Sequence, residues 1–367
     1  MKRLGIFQLY DPDGYVDEFK YVLLESMLGM LNKLIIVING GIEEEALLRL
    51  RSYTDNVHIR EEDTGFDAGA FRDVFLKFYE RGFFEQWDEV VMFNDTFYGP
   101  LCPWSVIFGR MEKEKVDFWG LEKSTWKQGI FKYPTEIIPY FLVIRKKLLL
   151  SNVFFQFWIE VGYPADKIEG IKVYEAKMTG FFNEAGFDYT TWLDVTGLYD
   201  SELGNMYRMR SMYNMIKKYN FPVAKVKNFS VINHTTAYET FNYIDHETKY
   251  DAQLIKKHLV RLNITDRLCP FSPKKLKNFI ENHDKIFIFG NGNYGKGLRE
   301  YFHSQNWEIE NMVVSEANQM DEISLNDVIF NEQDGIIIAL GFPAAVQEVE
   351  EQLKHKLKKE QMLFPKL

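Results

Sequence analysis

Leu34-Ile35-Ile36-Val37-Ile38 is an apolar run with no polar break, closed by Asn39-Gly40-Gly41. Such a run has no face to give to water, so it reads as a strand buried on both sides, which is the habit of parallel sheets. Similar short runs recur at residues 4–9, 57–60 and 89–93, and again in the tail at 285–289, 311–314 and 335–340. Between them, apolar residues return every three to four positions, as at Val16, Phe19, Leu23, Met27 and Met30. That spacing marks one buried helix face. Helices are predicted over 16–31, with Asp13 as its cap, and over 43–52 and 68–81. Strands alternating with helices predict an α/β fold, a mostly parallel sheet covered on both faces.

After residue 115 the rhythm changes. Strands are read at 117–121 and 140–144, the second antiparallel or at an edge. Helices are read at 152–161, 171–185, 206–218 and 251–262, and the stretch 186–250 is aromatic and loop-rich. The Pro-containing segment Leu268-Cys269-Pro270-Phe271-Ser272-Pro273 reads as a joint, dividing the chain into domains of 1–265 and 275–367. The tail restarts a strand–turn–helix pattern, with helices at 296–304 and 344–358, and is read as a small Rossmann-like α/β domain. The chain's 367 residues are enough for about two domains.

Composition excludes several classes of function. A net charge of −9 argues against a general nucleic-acid binder, which needs a basic footprint. Two distant cysteines, Cys102 and Cys269, cannot build a disulfide framework or a cysteine zinc site, and they fit a reducing compartment. The apolar run at the N-terminus is too short for a signal-peptide core, so a cytoplasmic location is expected. The seven histidines never fall at metal-ligand spacing, and no nucleophile elbow or Walker loop is present.

Two constellations in the front half can carry chemistry. Thr64-Gly65-Phe66-Asp67-Ala68-Gly69-Ala70-Phe71-Arg72-Asp73 follows a strand and opens a helix. Gly65 and Gly69 let backbone N–H groups approach a phosphate or a sugar hydroxyl. Asp67 can accept from hydroxyls, while Arg60 and Arg72 can face a diphosphate. The bland alternative is a helix start with glycines for geometry. The second constellation is Asn94-Asp95-Thr96-Phe97-Tyr98-Gly99-Pro100, at the end of a central strand, where open α/β sheets bind ligands. A carboxylate such as Asp95 suits Mg²⁺ or Mn²⁺ bridging diphosphate oxygens. Its bland alternative is an Asx turn closing a strand.

Together with Tyr10-Asp11-Pro12-Asp13-Gly14 and Asp117-Phe118-Trp119-Gly120, these pieces resemble the rhamnan synthesis F family of polysaccharide-assembly glycosyltransferases, over about residues 1–240. The resemblance implies a GT-A-like nucleotide-sugar fold. It implies transfer of a deoxyhexose, typically rhamnose from a dTDP donor, onto a growing cell-surface glycan or lipid-linked glycan. Asp67, Asn94 and Asp95 fall on matching positions, with Asn94 beside the donor. Only one carboxylate stands where GT-A enzymes have Asp-x-Asp. A divalent cation on Asp95 is therefore one expectation, and neutralisation of the leaving diphosphate by Arg60, Arg72, Lys225 or Lys227 is the other.

An inverting transferase needs a carboxylate to deprotonate its acceptor. Glu175 is the candidate base, with Asp194 and Glu122 as alternatives and a solvated helix carboxylate as the bland reading. Of the aromatic residues, 16% of the chain, most are expected in the core, with Trp126 and Tyr98 as the ones to meet an acceptor. In the tail, Gly290-x-Gly292-x-x-Gly295 follows a strand and precedes a helix, with Glu316 beyond the next strand. That is the context of a dinucleotide fingerprint. An NAD(P)-linked enzyme or sensor is thus one rival reading, and a non-catalytic glycan-binding scaffold is another. The basic run Lys354-His355-Lys356-Leu357-Lys358-Lys359 reads as a solvated helix face. Peripheral contact with the inner face of a membrane would give it about 1 kcal/mol per charge near anionic lipid.

Overall fold

The structure is a computed structural model that describes residues 1–79, 82–128, 131–195, 212–230, 234–264, 271, 273–317, 321–340 and 343–365. Its contacts divide the chain into Met1–Lys225 and Val226–Leu367. The joint read at 268–273 falls within the second unit and mostly outside the described residues.

The first unit is built on one sheet. Its strands are β1 (Arg3–Tyr10), β2 (Lys33–Asn39), β3 (Val57–Arg60), β4 (Glu89–Asn94), β5 (Phe97–Tyr98), β6 (Phe118–Gln128), β7 (Phe131–Ile137), β8 (Phe141–Arg145) and β9 (Tyr189–Asp194). All but β5 join in the order β3-β2-β1-β4-β8-β6-β7, with β9 beside β6. β3, β2, β1 and β4 run parallel, as their apolar runs predict. β8 is antiparallel to both neighbours and lies inside the sheet, so the edge alternative for this strand does not hold. The sheet is mostly parallel, and the α/β expectation stands.

Helices α1 (Glu18–Leu28), α2 (Glu44–Tyr53), α3 (Phe66–Tyr79) and α4 (Trp104–Met111) follow β1, β2, β3 and β5 in the chain. Alternate strand residues go to opposite faces. Leu4, Ile6, Ile35, Val37, Val90 and Met92 share one core with Phe71 and Phe75 of α3 and with Phe154 and Trp158 of the helix Asn152–Val161. On the other face, Phe7 stacks on Phe93 at 4.9 Å and Trp104 of α4 stacks on Phe141 at 4.9 Å. Asp13 does not cap α1. The helix begins at Glu18 behind Asp17, and the Asp13 backbone N–H instead donates to Asp11 Oδ1 at 3.0 Å, a local turn. The helix read at 171–185 opens with a π-helical stretch, Ile171–Glu175, before α-helical Ala176–Glu184.

The second unit carries a separate parallel sheet. Ala224–Lys225, at the end of the first unit, is β10 and pairs antiparallel with β5. The strands of the second sheet are β11 (Ile286–Phe289), β12 (Asn311–Val314), β13 (Glu322–Ser324), β14 (Gly335–Ile338) and β15 (Met362–Leu363), ordered β13-β12-β11-β14-β15. Ile286, Ile288, Met312 and Ile337 pack with Leu298 and Phe302 on one face. Phe287, Phe289, Val313, Ile336 and Ile338 pack with Val346, Val349 and Leu353 on the other. The tail is therefore a doubly covered α/β unit, as read. The helix read at 344–358 ends at Leu353, because Leu357 turns back into the core and Lys356 donates to the Leu325 carbonyl at 2.9 Å. The basic run is therefore not one helix face.

Candidate functional site

The site is built where β1 and β4 end. These strands are parallel neighbours with Gln8 opposite Asn94, so the loops that leave them emerge side by side. The short link from β1 into α1 sets the first turn of that helix over the same strand ends. Lys20, in that turn, is only 4% exposed. Its ammonium stands 2.7 Å from Asp95 Oδ2 and 3.6 Å from Asp11 Oδ2, and it donates to the Tyr10 carbonyl at 3.1 Å. The Tyr10 N–H donates to Asp95 Oδ2 at 3.2 Å.

A second chain of contacts starts at Asn94. Its Oδ1 accepts from the Thr96 N–H at 3.2 Å and the Thr96 hydroxyl at 2.7 Å, so the Asx turn is present. Its Nδ2 reaches Asp67 Oδ2 at 3.4 Å. Lys225 donates to Thr96 Oγ1 at 2.5 Å and lies 3.9 Å over the Tyr140 ring, while the Tyr140 hydroxyl donates to buried Glu122 at 3.0 Å. Lys225 is delivered by the pairing of β10 with β5. The array joins residues from 67 to 225, which only the sheet brings together.

Asp67 heads α3. Gly65 and Phe66 precede it with φ of +73° and +54°, a left-handed pair that turns the chain abruptly. The Gly69 position has no room for a Cβ, which would stand 2.3 Å from the Thr64 carbonyl oxygen. Arg60 holds this loop from below, donating to Asp73 at 2.8 Å, the Asn39 side chain at 2.7 Å and the Thr64 carbonyl at 2.7 Å. Arg72 lies 4.6 Å over the Tyr163 ring. A cleft of about 440 Å³ opens here, lined by Arg60, Glu61, Glu62, Thr64, Asp73 and Tyr163.

The family described as rhamnan synthesis protein F matches residues 34–291, most of the chain and all of the loops that carry Asp67, Asn94, Asp95 and Lys225. The chain belongs to this family. A curated relative, the uncharacterized protein y4gN of Sinorhizobium fredii, is 24% identical over 184 residues, 50% of this chain and 46% of that protein. The chain thus spans about half the length of the curated relative it matches. Similar solved structures include a glycosyltransferase involved in glycosylation of the PBCV-1 major capsid, at 10% identity and a TM-score of 0.32, covering 60% of this chain and 93% of that one. Another is glucosyl-3-phosphoglycerate synthase from Mycobacterium tuberculosis with Mg²⁺ and uridine diphosphate, at 12% identity and a TM-score of 0.32, covering 60% and 80%.

In this rhamnan synthesis F protein the residues singled out from sequence fall into two groups. Asp67 at the head of α3, Asn94 and Asp95 at the end of β4, and Lys225 in β10 are linked through Asn94 and Thr96. Gly65, Gly69, Arg60 and Arg72 shape and brace the loop ahead of α3, and each donor nitrogen of Arg60 has a protein acceptor. Glu175 closes the π-helical stretch and is half-buried. Beside it, the hydroxyl of buried Tyr174 has no hydrogen-bond partner. Burial first, then the charges of Asp67 and Glu175, hold that phenol well above its ordinary range. Asp194 pairs instead with Lys123 at 2.6 Å, at the end of β9. Tyr98 is 0% exposed and packs edge-on against Phe19 at 4.8 Å, because β5 is paired with β10. It cannot stack on an acceptor, contrary to the sequence reading. The Trp126 side chain lies outside the described residues.

Lys20 and Asp11 were missed as site residues. Asp11 stood only within the Tyr10–Gly14 motif, and the signal for Lys20 was a lysine on the apolar stripe of α1, one place after Phe19. Their arrangement does not fit a resident divalent cation. Asp95 Oδ2 already accepts from an ammonium and a backbone N–H. A metal ion on that oxygen would stand within about 4 Å of the ammonium, where each pair of unit charges repels by about 4 kcal/mol at an effective dielectric of about 20. Among the described residues, no group of three His, Cys, Asp or Glu is placed to hold a metal.

Asp67 is the strained member of the site. Burial pushes its carboxyl above the ordinary value of 3.8, against the pull of the Ala68 N–H, Lys225 and Asn94. A carboxyl raised on folding binds more protons folded than unfolded, so stability falls as pH rises from 3.8 through the folded value. Asp67→Asn is therefore expected to be more stable than wild type at neutral pH. The gap should close as pH falls towards 3.8. Urea unfolding of both proteins at several pH values reads this directly, and a gap independent of pH would contradict it.

In the tail, Gly290 has φ of +101°, and a Cβ on Gly295 would stand 1.7 Å from the Gly290 carbonyl oxygen. The turn thus needs both glycines for its own packing. Asn291 at its tip donates to Glu322 at 2.7 Å. No helix among the described residues is long and apolar enough to cross a membrane.

Proposed function

We propose that the protein is a glycosyltransferase that moves a deoxyhexose, rhamnose from a dTDP donor, onto a growing cell-surface polysaccharide presented as a glycan or lipid-linked glycan. Membership of the rhamnan synthesis F family supports the reaction class. The observation that carries the site is the array Asp67–Asn94–Thr96–Lys225 at the strand ends. It sets a carboxylate that can accept from sugar or ribose hydroxyls beside an ammonium that can face a diphosphate.

In this reading the acceptor oxygen attacks the anomeric carbon as the bond to the diphosphate oxygen breaks. Lys225 meets the negative charge that grows on the leaving group, where a preorganised donor has the most effect. Glu175 takes the proton of the acceptor hydroxyl, and its half-buried position beside Tyr174 suits a base shielded from bulk water.

The test is thermal unfolding with dTDP-, UDP- and GDP-sugars and with NAD(P). A ligand at about a hundred times its Kd adds about 2.7 kcal/mol of stability, which raises Tm by roughly 5–11 °C for a domain of this size. A shift with one sugar nucleotide is expected, with at most a smaller shift in Lys225→Ala. A shift with NAD(P) alone would move the activity to the Gly290–Gly295 turn and overturn the proposal.

A further inference from the structure

Lys20 is a buried ammonium to which the transfer reaction assigns no task. Three oxygens surround it: Asp95 Oδ2 at 2.7 Å, Tyr10 O at 3.1 Å and Asp11 Oδ2 at 3.6 Å. They come from the ends of two parallel neighbouring strands, where a hard cation held by carboxylates would otherwise sit. Two of these oxygens are at hydrogen-bonding distance from the ammonium and the third, on Asp11, is at ion-pair distance. Both carboxylates are buried, so an unpaired cluster there would be costly, and one cation is enough to link β1 to β4.

From this we infer that the Lys20 ammonium is the resident cation of the Asp11–Asp95 pair, and that the site takes a nucleoside diphosphate without a divalent metal. The second half rests on the reading of the strand ends as the donor site. Unlike a metal ion with exchangeable waters, an ammonium already held by Asp95 and the Tyr10 carbonyl, with Asp11 at ion-pair distance, is poorly placed to take a phosphate as well. The diphosphate must then be met by a separate cation, and Lys225, in β10 and on the Thr96 hydroxyl, is the one at hand. Removal of the Lys20 charge leaves Asp11 and Asp95 as a two-carboxylate site, which is enough for a hard divalent ion that keeps several waters.

Two measurements decide this on the full chain. The first is Mn²⁺ binding without nucleotide, read by the loss of the free-ion signal in electron paramagnetic resonance. Wild type is expected to bind no Mn²⁺ that Asp95→Asn removes. Lys20→Met is expected to gain one site, lost again when Asp95→Asn is added. Mn²⁺ bound by wild type and lost in Asp95→Asn would overturn the inference, and needs no folded Lys20 variant. So would a folded Lys20→Met that gains no site. The second measurement is calorimetry with dTDP and UDP, in EDTA and in Mn²⁺. Equal Kd values, within about twofold, are expected, whereas about tenfold tighter binding in Mn²⁺, or about 1.4 kcal/mol, would overturn metal independence. Absence of any nucleotide binding would instead sink the donor-site reading, while the Mn²⁺ measurement still decides the role of Lys20.

Discussion

Asp95→Ala is expected to destabilise the protein by about 3 kcal/mol, the low end for removing one partner of a buried ion pair. The cause is Lys20, which is only 4% exposed and loses its partner at 2.7 Å. Asp11, at 3.6 Å, limits the loss. For a domain of this size the fall in Tm would be roughly 6–12 °C. Lys20→Met in the same chain should restore most of the loss, because the orphaned charge is then gone, and the double-mutant cycle reads the coupling directly. An Asp95 that served an absent metal would behave in the opposite way. Its removal would relieve repulsion, and the protein would be as stable as wild type or more so. A loss below about 1 kcal/mol, the range of an exposed pair, would show that Lys20 and Asp95 are not coupled as the distances indicate.

Lys225→Ala is expected to lower the rate of transfer at saturating donor by about 10²–10³-fold, the effect of removing one preorganised donor from the developing charge. Stability should change by less than about 1 kcal/mol, as for substitutions away from the core. Lys225→Arg should recover part of the rate, since the charge returns with a different reach. The decisive reading is kcat against KM. A loss confined to KM would place Lys225 on the bound donor and away from the leaving group. An unchanged kcat/KM would remove it from the reaction altogether.

The parts of this protein that were legible in its residues are those settled by local pattern. The runs at residues 57–60 and 311–314 and the helix at 152–161 have the bounds that periodicity assigns them. A continuous apolar run has one good solution, burial on both faces, whatever the rest of the chain does. The loops that carry Asp67, Asn94 and Asp95 were legible for the same reason. They lie where strands stop, and strand ends in a parallel sheet face the ligand crevice. Tyr98 and Asp13 were misread because each is decided by a distant partner or a local turn that no periodicity records. Tyr98 is covered when residues 224–225 pair with β5, and Asp13 is drawn to Asp11 and away from the helix.

The sequence by itself determined that the chain is an α/β protein with two sheets and that its polar loops converge at the strand ends of the first. Those properties follow from local pattern, continuous apolar runs for the strands and apolar side chains three or four places apart for the helices. The tertiary structure alone decided which charges neutralise one another. Lys20 meets an aspartate 75 positions later in the chain, and Lys225 meets a threonine that precedes it by 129. Charge pairing acts through space with no preferred sequence separation, so its partners become visible only when the sheet has set them side by side.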